Sequence, residues 1–474
     1  MRPYLRILAP ALLLAACASV PAPPTPAPAP SQYKQIDIWQ HAAAIDNQPI
    51  PDDWWTLFND PLLNDLESRV IVGNENLKSL VAQIANARAV LAASHSAMLP
   101  TLSAGLSGTR DSNPSTPGRT AAQNPSNNVT LSASASWEVD LWGRLSQAVT
   151  GAQASLQASV DDLAAARLSV QATLAQTYFT LRTTDAQLSL LERSVVAYQR
   201  SLDLTQFRYD SGVAARTDVL QAQTQLKTAQ AQVAEATAQR ALLEHAIAVL
   251  LGIPPSALGL ERNALLPTAP KVPQMLPATL LERRPDIAAA QRRVAAAYAQ
   301  IGVTNAAFFP ALTLSASGGY SHTSMANLIS APNLFWSLGV SLAQAILDGG
   351  QRQLASAQAH AAADQATSSY RQTVLIALQE VEDNLVLAYQ LQQEAQLQQE
   401  ALQSAQRTLE ITLDQYRAGT VSYLNVVIAQ TTALSSENTL LNTRNRQLAA
   451  VNLLLKNIAG RWETDIPPIK KSQG

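Results

Sequence analysis

QYRAGTVSYLNVVIAQ, residues 415–430, places a few turn-forming residues between two very long runs of helix-forming residues. An earlier stretch, RYDSGVAARTDVLQAQ at residues 208–223, has the same layout. Corresponding positions keep one offset of 207 residues: Tyr209 and Tyr416, Gly212 and Gly419, Asp218 and Asn425, Ala222-Gln223 and Ala429-Gln430. The constant offset indicates two copies of one unit, each with a sharp turn at the tip of a long helical hairpin.

Length and composition narrow the class of protein. A chain of 474 residues can form two or three ordinary domains or one extended one. Only 14% of its residues are charged and the net charge is −2, so a basic face for nucleic acid is not indicated. The five histidines are scattered without ligand spacing, and one cysteine excludes a disulfide framework or a Cys-based metal site. We therefore predict neither an enzyme nor a protein with a bound cofactor.

The N-terminus predicts export and a lipid anchor. An apolar run at 7–16 follows two arginines and is too short to span a bilayer, but it is typical of a signal peptide. It ends at Leu14-Ala15-Ala16-Cys17, where small residues precede the single cysteine. We predict a signal peptide at 1–16 and a covalent lipid on Cys17. An ordinary signal peptide with an incidental cysteine is the alternative. The Pro-rich segment that follows predicts an extended tether at 17–52.

Four segments change from helical periodicity to strict alternation of apolar residues with Ser, Thr or Gly. The predicted strands are about 101–113, 128–142, 311–323 and 334–347. The strictly alternating part of each is about ten residues, the length of a tilted membrane-spanning β-strand. One face suits lipid and the other water, and Trp137, Trp142 and Trp336 are candidate interfacial aromatics. Alternation by itself fits a half-buried soluble hairpin equally well.

Four strands cannot close a barrel. An open edge in lipid leaves backbone groups unpaired, at several kcal/mol each, so the strands predict an oligomer. Two chains would supply eight strands and three would supply twelve, and both are allowed even numbers. Small inward residues fit the passage that twelve strands can leave.

Each strand pair leads into a helical run that is far too long for a globular domain. The runs extend from Arg144 to about Tyr209 and from Gln351 to about Tyr416, roughly 100 Å each. A coiled-coil spacer and a stave of a hollow helical barrel both fit this pattern. Short helices and connectors near the helix breaks are expected to form a belt. The predicted organisation is a first repeat at 53–260 with its hairpin at 144–251, a connector at 261–284, a second repeat at 285–462 with its hairpin at 351–459, and a C-terminal tail at 463–474.

Several short motifs occur in an order that resembles the TolC-like outer-membrane factors, specifically the lipid-anchored (NodT-type) efflux lipoproteins of tripartite drug-efflux pumps. The motifs are Leu14-Ala15-Ala16-Cys17, Trp54-Trp55 with Phe58, Asp140-Leu141-Trp142-Gly143-Arg144, Leu281-Glu282-Arg283-Arg284-Pro285-Asp286-Ile287, Ala306-Ala307-Phe308-Phe309-Pro310, Leu347-Asp348-Gly349-Gly350 and the two tip turns. The resemblance covers nearly the whole mature chain.

The resemblance implies an α+β membrane protein. Three chains would form a twelve-stranded β-barrel, four strands per chain, that continues as a long α-helical barrel with an equatorial belt. Such a trimer would sit in the outer membrane of a Gram-negative bacterium, lipid-anchored and extending into the periplasm. Its tip would meet a periplasmic adaptor (membrane fusion) protein that links it to an inner-membrane RND-type transporter. The channel would be a passive exit for small toxic molecules and antibiotics.

The resemblance also assigns roles to the tip turns. The surface around Tyr209, Gly212, Tyr416 and Gly419 is expected to dock the adaptor. A glycine just after a helix end is also a common C-terminal cap, and the two roles are compatible.

A periplasmic gate is expected beside the second turn, near Leu424, Ile428, Asn425 and, from the first repeat, Asp218. Leu424 matches a hydrophobic constriction residue of drug-efflux relatives. Ile428 and Asn425 stand where relatives often carry Asp, whereas the first repeat keeps Asp218. We predict an apolar gate of Leu424 and Ile428 that closes by dewetting. The alternative is that Ile428 faces a neighbouring helix, since helical spacing does not fix which face looks inward.

Three other functions fit parts of the sequence. A periplasmic coiled-coil scaffold lipoprotein without a pore has no use for duplicated strand pairs with one apolar face. The same channel fold could serve protein secretion, against which the lipid-anchor and drug-pump motifs argue. It could also serve metal-ion efflux, but four methionines and scattered histidines give no support to a copper or silver path.

Overall fold

The structure is a computed structural model that describes residues 53–112, 125–270 and 284–458. The predicted signal peptide, Cys17, the tether and the C-terminal tail at 463–474 lie outside the described residues, as does part of the connector. The regular elements are α1 (Pro61–Gly73), α2 (Glu75–Ser96), β1 (Thr101–Asp111), β2 (Ser126–Val139), α3 (Arg144–Asp210), α4 (Arg216–Leu250), α5 (Pro285–Ala306), β3 (Ala311–His322), β4 (Leu334–Ala343), α6 (Gln351–Arg417) and α7 (Tyr423–Ile458). They fall into two compact units.

The first unit, Ala82–Val160 with Ala289–Arg371, contains the strands and is called the strand unit below. Its sheet is antiparallel with the order β1-β2-β3-β4, so β1 and β4 are the edges within one chain. A Cβ on Gly319 would lie 2.1 Å from the carbonyl oxygen of Leu131, so only glycine permits this approach of β3 to β2. Apolar side chains alternate along one face of β4 and are 56–75% exposed: Leu334, Trp336, Leu338, Val340 and Leu342.

The second strand ends earlier than the alternation predicted. Leu141 continues the apolar pattern of β2, but the strand stops at Val139. The cause is Asp140, whose carboxylate accepts hydrogen bonds from the backbone N–H groups of Leu145 and Ser146 at 3.0 and 2.8 Å. Partial burial raises the pKa of Asp140, but these bonds, that of the Ser146 hydroxyl and the charge of Arg144 together lower it. The carboxylate thus caps α3 and forces the chain out of the sheet.

The second unit is helical and contains 53–81, Asp161–Ala288 and the chain from Gln372 on. Trp54 and Phe58 are buried in its core, and the ring centroids of Phe58 and Phe179 lie 4.7 Å apart. These aromatics therefore pack in the core of the helical unit. The Tyr178 hydroxyl donates to the Asp60 carboxylate at 2.5 Å. Among the described residues, none of the helices is both long and apolar enough to cross a membrane.

The helical segment that precedes β1 is interrupted at Asn74, between α1 and α2. The Asn74 side chain donates to the Leu250 carbonyl at 2.8 Å and accepts from the backbone N–H groups of Asn76 and Leu77. A Cβ on Gly73 would lie 2.1 Å from the carbonyl oxygen of Leu251. The break therefore results from close packing against the end of α4. The helical spacing of apolar residues in the local sequence gives no sign of that packing.

A buried ionic cluster fastens the segment after α4 to the helical unit. The Asp185 carboxylate binds Arg182 at 3.1 Å and Arg240 at 2.7 Å, and its side chain is 1% exposed. The same two arginines donate to the backbone carbonyls of Glu261 and Leu260. Charged donors on carbonyl oxygens make strong hydrogen bonds, and apolar side chains of the same segment pack against the buried core of the helical unit, so both kinds of contact hold it.

Glu67 is a buried acid with no such cluster around it. It lies in α1, is fully buried, and neither carboxyl oxygen has a hydrogen-bond partner among the described residues. Burial raises the pKa of its carboxyl group from 4.5 to about 9.

This burial predicts a pH-dependent stability. The unfolded chain ionises Glu67 above pH 4.5 while the folded chain keeps it protonated up to about pH 9, so stability falls as pH rises through that window. Between about pH 5 and about pH 8 the wild type is expected to lose on the order of 4 kcal/mol more than the Glu67→Met variant, from ~1.4 kcal/mol per pH unit. Denaturant unfolding followed by circular dichroism measures this difference. Glu400→Met, at an exposed site, is the control; equal pH slopes for Glu67→Met and wild type would contradict the prediction.

Candidate functional site: the tips of the helical hairpins

The two tip turns have the same backbone. Gly212 and Gly419 follow the ends of α3 and α6 and have φ of +76° and +80°, the left-handed region that favours glycine. At the first tip, Gly212 N–H donates to the Tyr209 carbonyl and Val213 N–H to the Arg208 carbonyl, both at 2.8 Å. The second tip repeats both bonds at equivalent positions, at 3.0 Å each. This pair of bonds is a Schellman cap, so both glycines have the structural role that the sequence suggested.

The side chains around the two turns differ. Tyr416 is buried at 4% exposure, whereas its counterpart Tyr209 is 37% exposed. Arg208 accounts for the difference, because it donates to the Tyr416 carbonyl and places its guanidinium carbon 4.7 Å from the centroid of the Tyr416 ring. The second repeat has Gln415 where the first has Arg208, so the reciprocal contact is not available.

Further hydrogen bonds connect the two hairpins beneath the turns. The hydroxyl groups of Thr205 and Tyr416 lie 3.2 Å apart, and both residues are buried. Deeper in the helical unit, the Gln430 amide donates to the Ser201 hydroxyl at 3.0 Å. We call these contacts, together with Arg208, the tip latch.

Tyr423 completes the latch from the start of α7. Its ring is fully buried and makes an edge-to-face contact with Tyr416 at a centroid distance of 5.4 Å. Burial raises the pKa of the Tyr423 hydroxyl, and Tyr416, Tyr198 and Asp218 raise it further. Tyr423 is therefore neutral at physiological pH and contributes packing to the latch rather than charge.

Sequence reasoning missed most of the latch. The internal repeat nevertheless carried a signal, because Arg208 and Tyr423 stand where the two copies differ. Arg208 has Gln415 as its counterpart, and Tyr423 has Arg216. Thr205, Tyr416 and Gln430 have identical counterparts in the other repeat, so only part of the latch lies at positions that differ.

The predicted gate residues do not form one group within the chain. Leu424 and Ile428 are one helical turn apart on α7 and are 51% and 56% exposed, while Val426 is fully buried. Ile428 and Asn425 line a groove of about 310 Å³ between α7 and α6. Asp218 lies in the first turn of α4, where its charge acts on the buried Tyr423. The exposed apolar stripe is thus Leu424 and Ile428, and their role as a gate stays a prediction.

The candidate interfacial aromatics lie in the strand unit in different surroundings. The indole N–H of Trp142 donates to the Pro310 carbonyl at 2.8 Å, and its ring stacks on Phe309 at a centroid distance of 4.8 Å. The indole N–H of Trp137 donates to the Met98 carbonyl at 2.9 Å. Trp336 is 74% exposed on β4. Two of these tryptophans therefore also fix local packing, and an interfacial role for all three stays a prediction.

Within the described residues, no cluster of three or more His, Cys, Asp or Glu side chains could hold a metal ion. The interactions found at the tips are helix caps, packing of aromatic rings and hydrogen bonds from a charged side chain.

The duplicated strand pairs and 67-residue helices are the fold of an outer-membrane channel protein. The channel protein OprN has the same fold, with a TM-score of 0.87 and 28% identity over 94% of this chain and 100% of OprN. The model of the family described as outer membrane efflux protein matches residues 66–253 and 276–460. The chain belongs to this family.

Two relatives match along almost their whole length. The pyoverdine export outer membrane protein OpmQ of Pseudomonas aeruginosa is 30% identical over 468 residues, 97% of each protein. The toluene efflux pump outer membrane protein TtgC of Pseudomonas putida is 28% identical over 467 residues, 97% of this chain and 96% of TtgC. The chain is thus an outer-membrane efflux channel protein.

The tip latch predicts a measurable local stability. Arg208→Gln installs the residue that the second repeat carries and removes both the hydrogen bond and the cation–π contact. Because a charged hydrogen bond contributes ~1.5 kcal/mol or more, amide hydrogen exchange at the two tip turns should accelerate about tenfold. Arg200→Gln, exposed on the same helix, should leave these rates unchanged. Equal exchange in Arg208→Gln and wild type would show that the latch does not hold the tips.

Proposed function

We propose that three copies of this chain form a passive exit duct across the outer membrane. The observation that carries the proposal is the four-stranded sheet, in which each of the edge strands β1 and β4 is paired on one side only among the described residues. In lipid, unpaired backbone groups cost several kcal/mol each, so these edges favour pairing between copies. Three copies give twelve strands, a number that leaves a passage.

We propose further that Cys17 carries a lipid that anchors the trimer and that the helical hairpins extend into the periplasm. In this arrangement the lipid adds to the attachment that the proposed barrel supplies, and the trimer does not depend on it.

In the proposed assembly, a periplasmic adaptor contacts the tip turns around Tyr209, Gly212, Tyr416 and Gly419 and links the duct to an inner-membrane RND-type transporter. The transporter supplies the energy. The names of the relatives concern pyoverdine export and toluene efflux, both small molecules. They support small molecules as the cargo class, and within that class we propose toxic molecules and antibiotics.

The test of assembly is fractionation of the native protein. The 50.6 kDa chain should separate with outer membranes and elute in detergent at the mass of a trimer. Cys17→Ser should lose the lipid but keep the trimer, because strand pairing supplies most of the attachment. Mass spectrometry and light scattering measure both properties. A Cys17→Ser protein that is a water-soluble monomer after detergent removal would rule out the barrel.

The proposed gate has a separate test. Leu424 and Ile428 expose an apolar stripe, and an apolar constriction closes a pore by excluding water. The double variant Leu424→Ser with Ile428→Ser should therefore conduct small ions in planar bilayers under conditions in which the wild type is closed. Leu220→Ser, at an exposed leucine of α4, is the control. Unchanged closed-state conductance in the double variant would contradict an apolar gate.

A further inference from the structure

The register of the sheet gives its polar face one exceptional residue. Three neighbouring rows of that face each cross all four strands, and eleven of their twelve positions hold Ser, Thr or Gly. The rows are Thr101-Ser136-Ser315-Gly339, Ser103-Ser134-Ser317-Ser337 and Gly105-Ser132-Gly319-Phe335. Phe335 is the one large apolar side chain among them.

Phe335 and Trp336 lie next to each other in β4 but on opposite faces of the sheet. Successive residues of a strand point to opposite sides, so Phe335 points away from Trp336. Trp336 is 74% exposed on the apolar face. On the polar face the side chains of one row meet across the strands, as the hydroxyl groups of Ser103 and Ser134 do at 2.8 Å. Phe335 therefore stands among hydroxyl groups and glycines.

The residue directly opposite Phe335 on β3 is Gly319. Glycine has no side chain to cover the aromatic ring, and Phe335 is only half-buried. An aromatic side chain beside a glycine stabilises a strand pair by covering its backbone. That role uses one side of the ring and leaves the other open to the space above the polar face.

Phe335 lies near the end of the sheet that is remote from the helices of the strand unit. β1 and β3 begin directly after α2 and α5, and β2 and β4 end just before α3 and α6. These helices all join one end of the sheet, whereas Phe335 is the second residue of β4, at the opposite end. In the proposed assembly the helices lead into the periplasm, so the end that carries Phe335 faces outward.

We propose that Phe335 is a cargo-contacting residue of the strand passage and that it favours cargo with aromatic or flat apolar groups. Three copies of the chain place three such rings around the passage, near its outer mouth. This inference rests on the proposed function. It adds a residue that discriminates between cargo molecules.

The contrast between the ring and its surroundings is the physical reason. Hydroxyl side chains keep water beside them, so an apolar solute gains little by touching them. A second aromatic ring gains twice on Phe335, because apolar surface leaves water and the rings stack edge-to-face or with an offset. The three rows carry no charged side chain, so an ionic contact does not compete there.

The first test measures whether Phe335 faces water. Full-length Phe335→Cys and Trp336→Cys proteins in proteoliposomes are treated with a membrane-impermeant trimethylammonium methanethiosulfonate, and the unsubstituted protein gives the background from Cys17. Phe335→Cys should react at least about tenfold faster, because a thiol in water ionises to the reactive thiolate and a thiol in lipid does not. Mass spectrometry measures both rates, and equal rates would overturn the proposal.

The second test measures the aromatic contact. Ser337→Cys places a thiol in the next row of the same face, and its reaction rates with benzyl and propyl methanethiosulfonate are compared. Adding Phe335→Ser should lower the benzyl-to-propyl ratio about three- to tenfold, because the ring that attracts the benzyl group is lost. Phe335→Tyr should keep the ratio. Trp336→Ser, on the opposite face, is the matched control and should also keep it.

The same proteins separate cargo contact from a purely structural role. If the ring only covers Gly319, Phe335→Ser lowers the thermal midpoint and leaves the benzyl-to-propyl ratio unchanged, which would overturn the inference. Thiols at 335 and 337 that both fail to react with the impermeant reagent, or a wild-type protein that forms no trimer, would refute the proposed function as well. Normal trimers with reactive thiols and an unchanged ratio in Phe335→Ser would refute only this inference.

Discussion

Backbone hydrogen bonding at the edges of the sheet is the constraint on which the chain depends. In the part of the chain that the structure describes, β2 and β3 are paired on both sides, while β1 and β4 each have one unpaired edge. Water can form hydrogen bonds with the unpaired backbone groups of such an edge, but lipid cannot. Because the apolar face of β4 is exposed and suits lipid, its open edge requires a partner strand. The proposed trimer meets both demands, because each open edge pairs with another copy while the apolar face meets lipid.

The internal repeat explains how one chain builds two kinds of tip. Both turns keep the Schellman cap, because a left-handed residue ends a helix in the same way whatever surrounds it. The side chains beside the caps have diverged. Arg208 holds Tyr416 in the latch, and Phe207 stands exposed where the other copy has Asp414. Duplication therefore conserved the backbone of the turn while its surface diverged.

Buried polar groups in the helical unit divide into two kinds. Asp185 is surrounded by arginines and backbone groups, so its charge is compensated and it fastens the connector. Glu67 has no such partners among the described residues, and burial instead favours its neutral form. The difference follows from the cost of an ion in a low-dielectric interior, which is offset either by pairing or by taking up a proton.

The sequence by itself determined the elements and their duplication. Two-residue alternation identified the strands, uninterrupted helix formers identified α3 and α6, and glycines at constant offset identified the turns, because these features depend on local backbone preference. Only the tertiary structure decided the break at Asn74, the end of β2 at Asp140 and the latch between Arg208 and Tyr416. Each of these depends on side-chain hydrogen bonds that compete with or add to the local pattern, and two of them join residues more than a hundred positions apart. The periodicity of a sequence shows which face of a helix or strand is apolar. It does not show which distant backbone groups will contact that helix or strand in the folded protein.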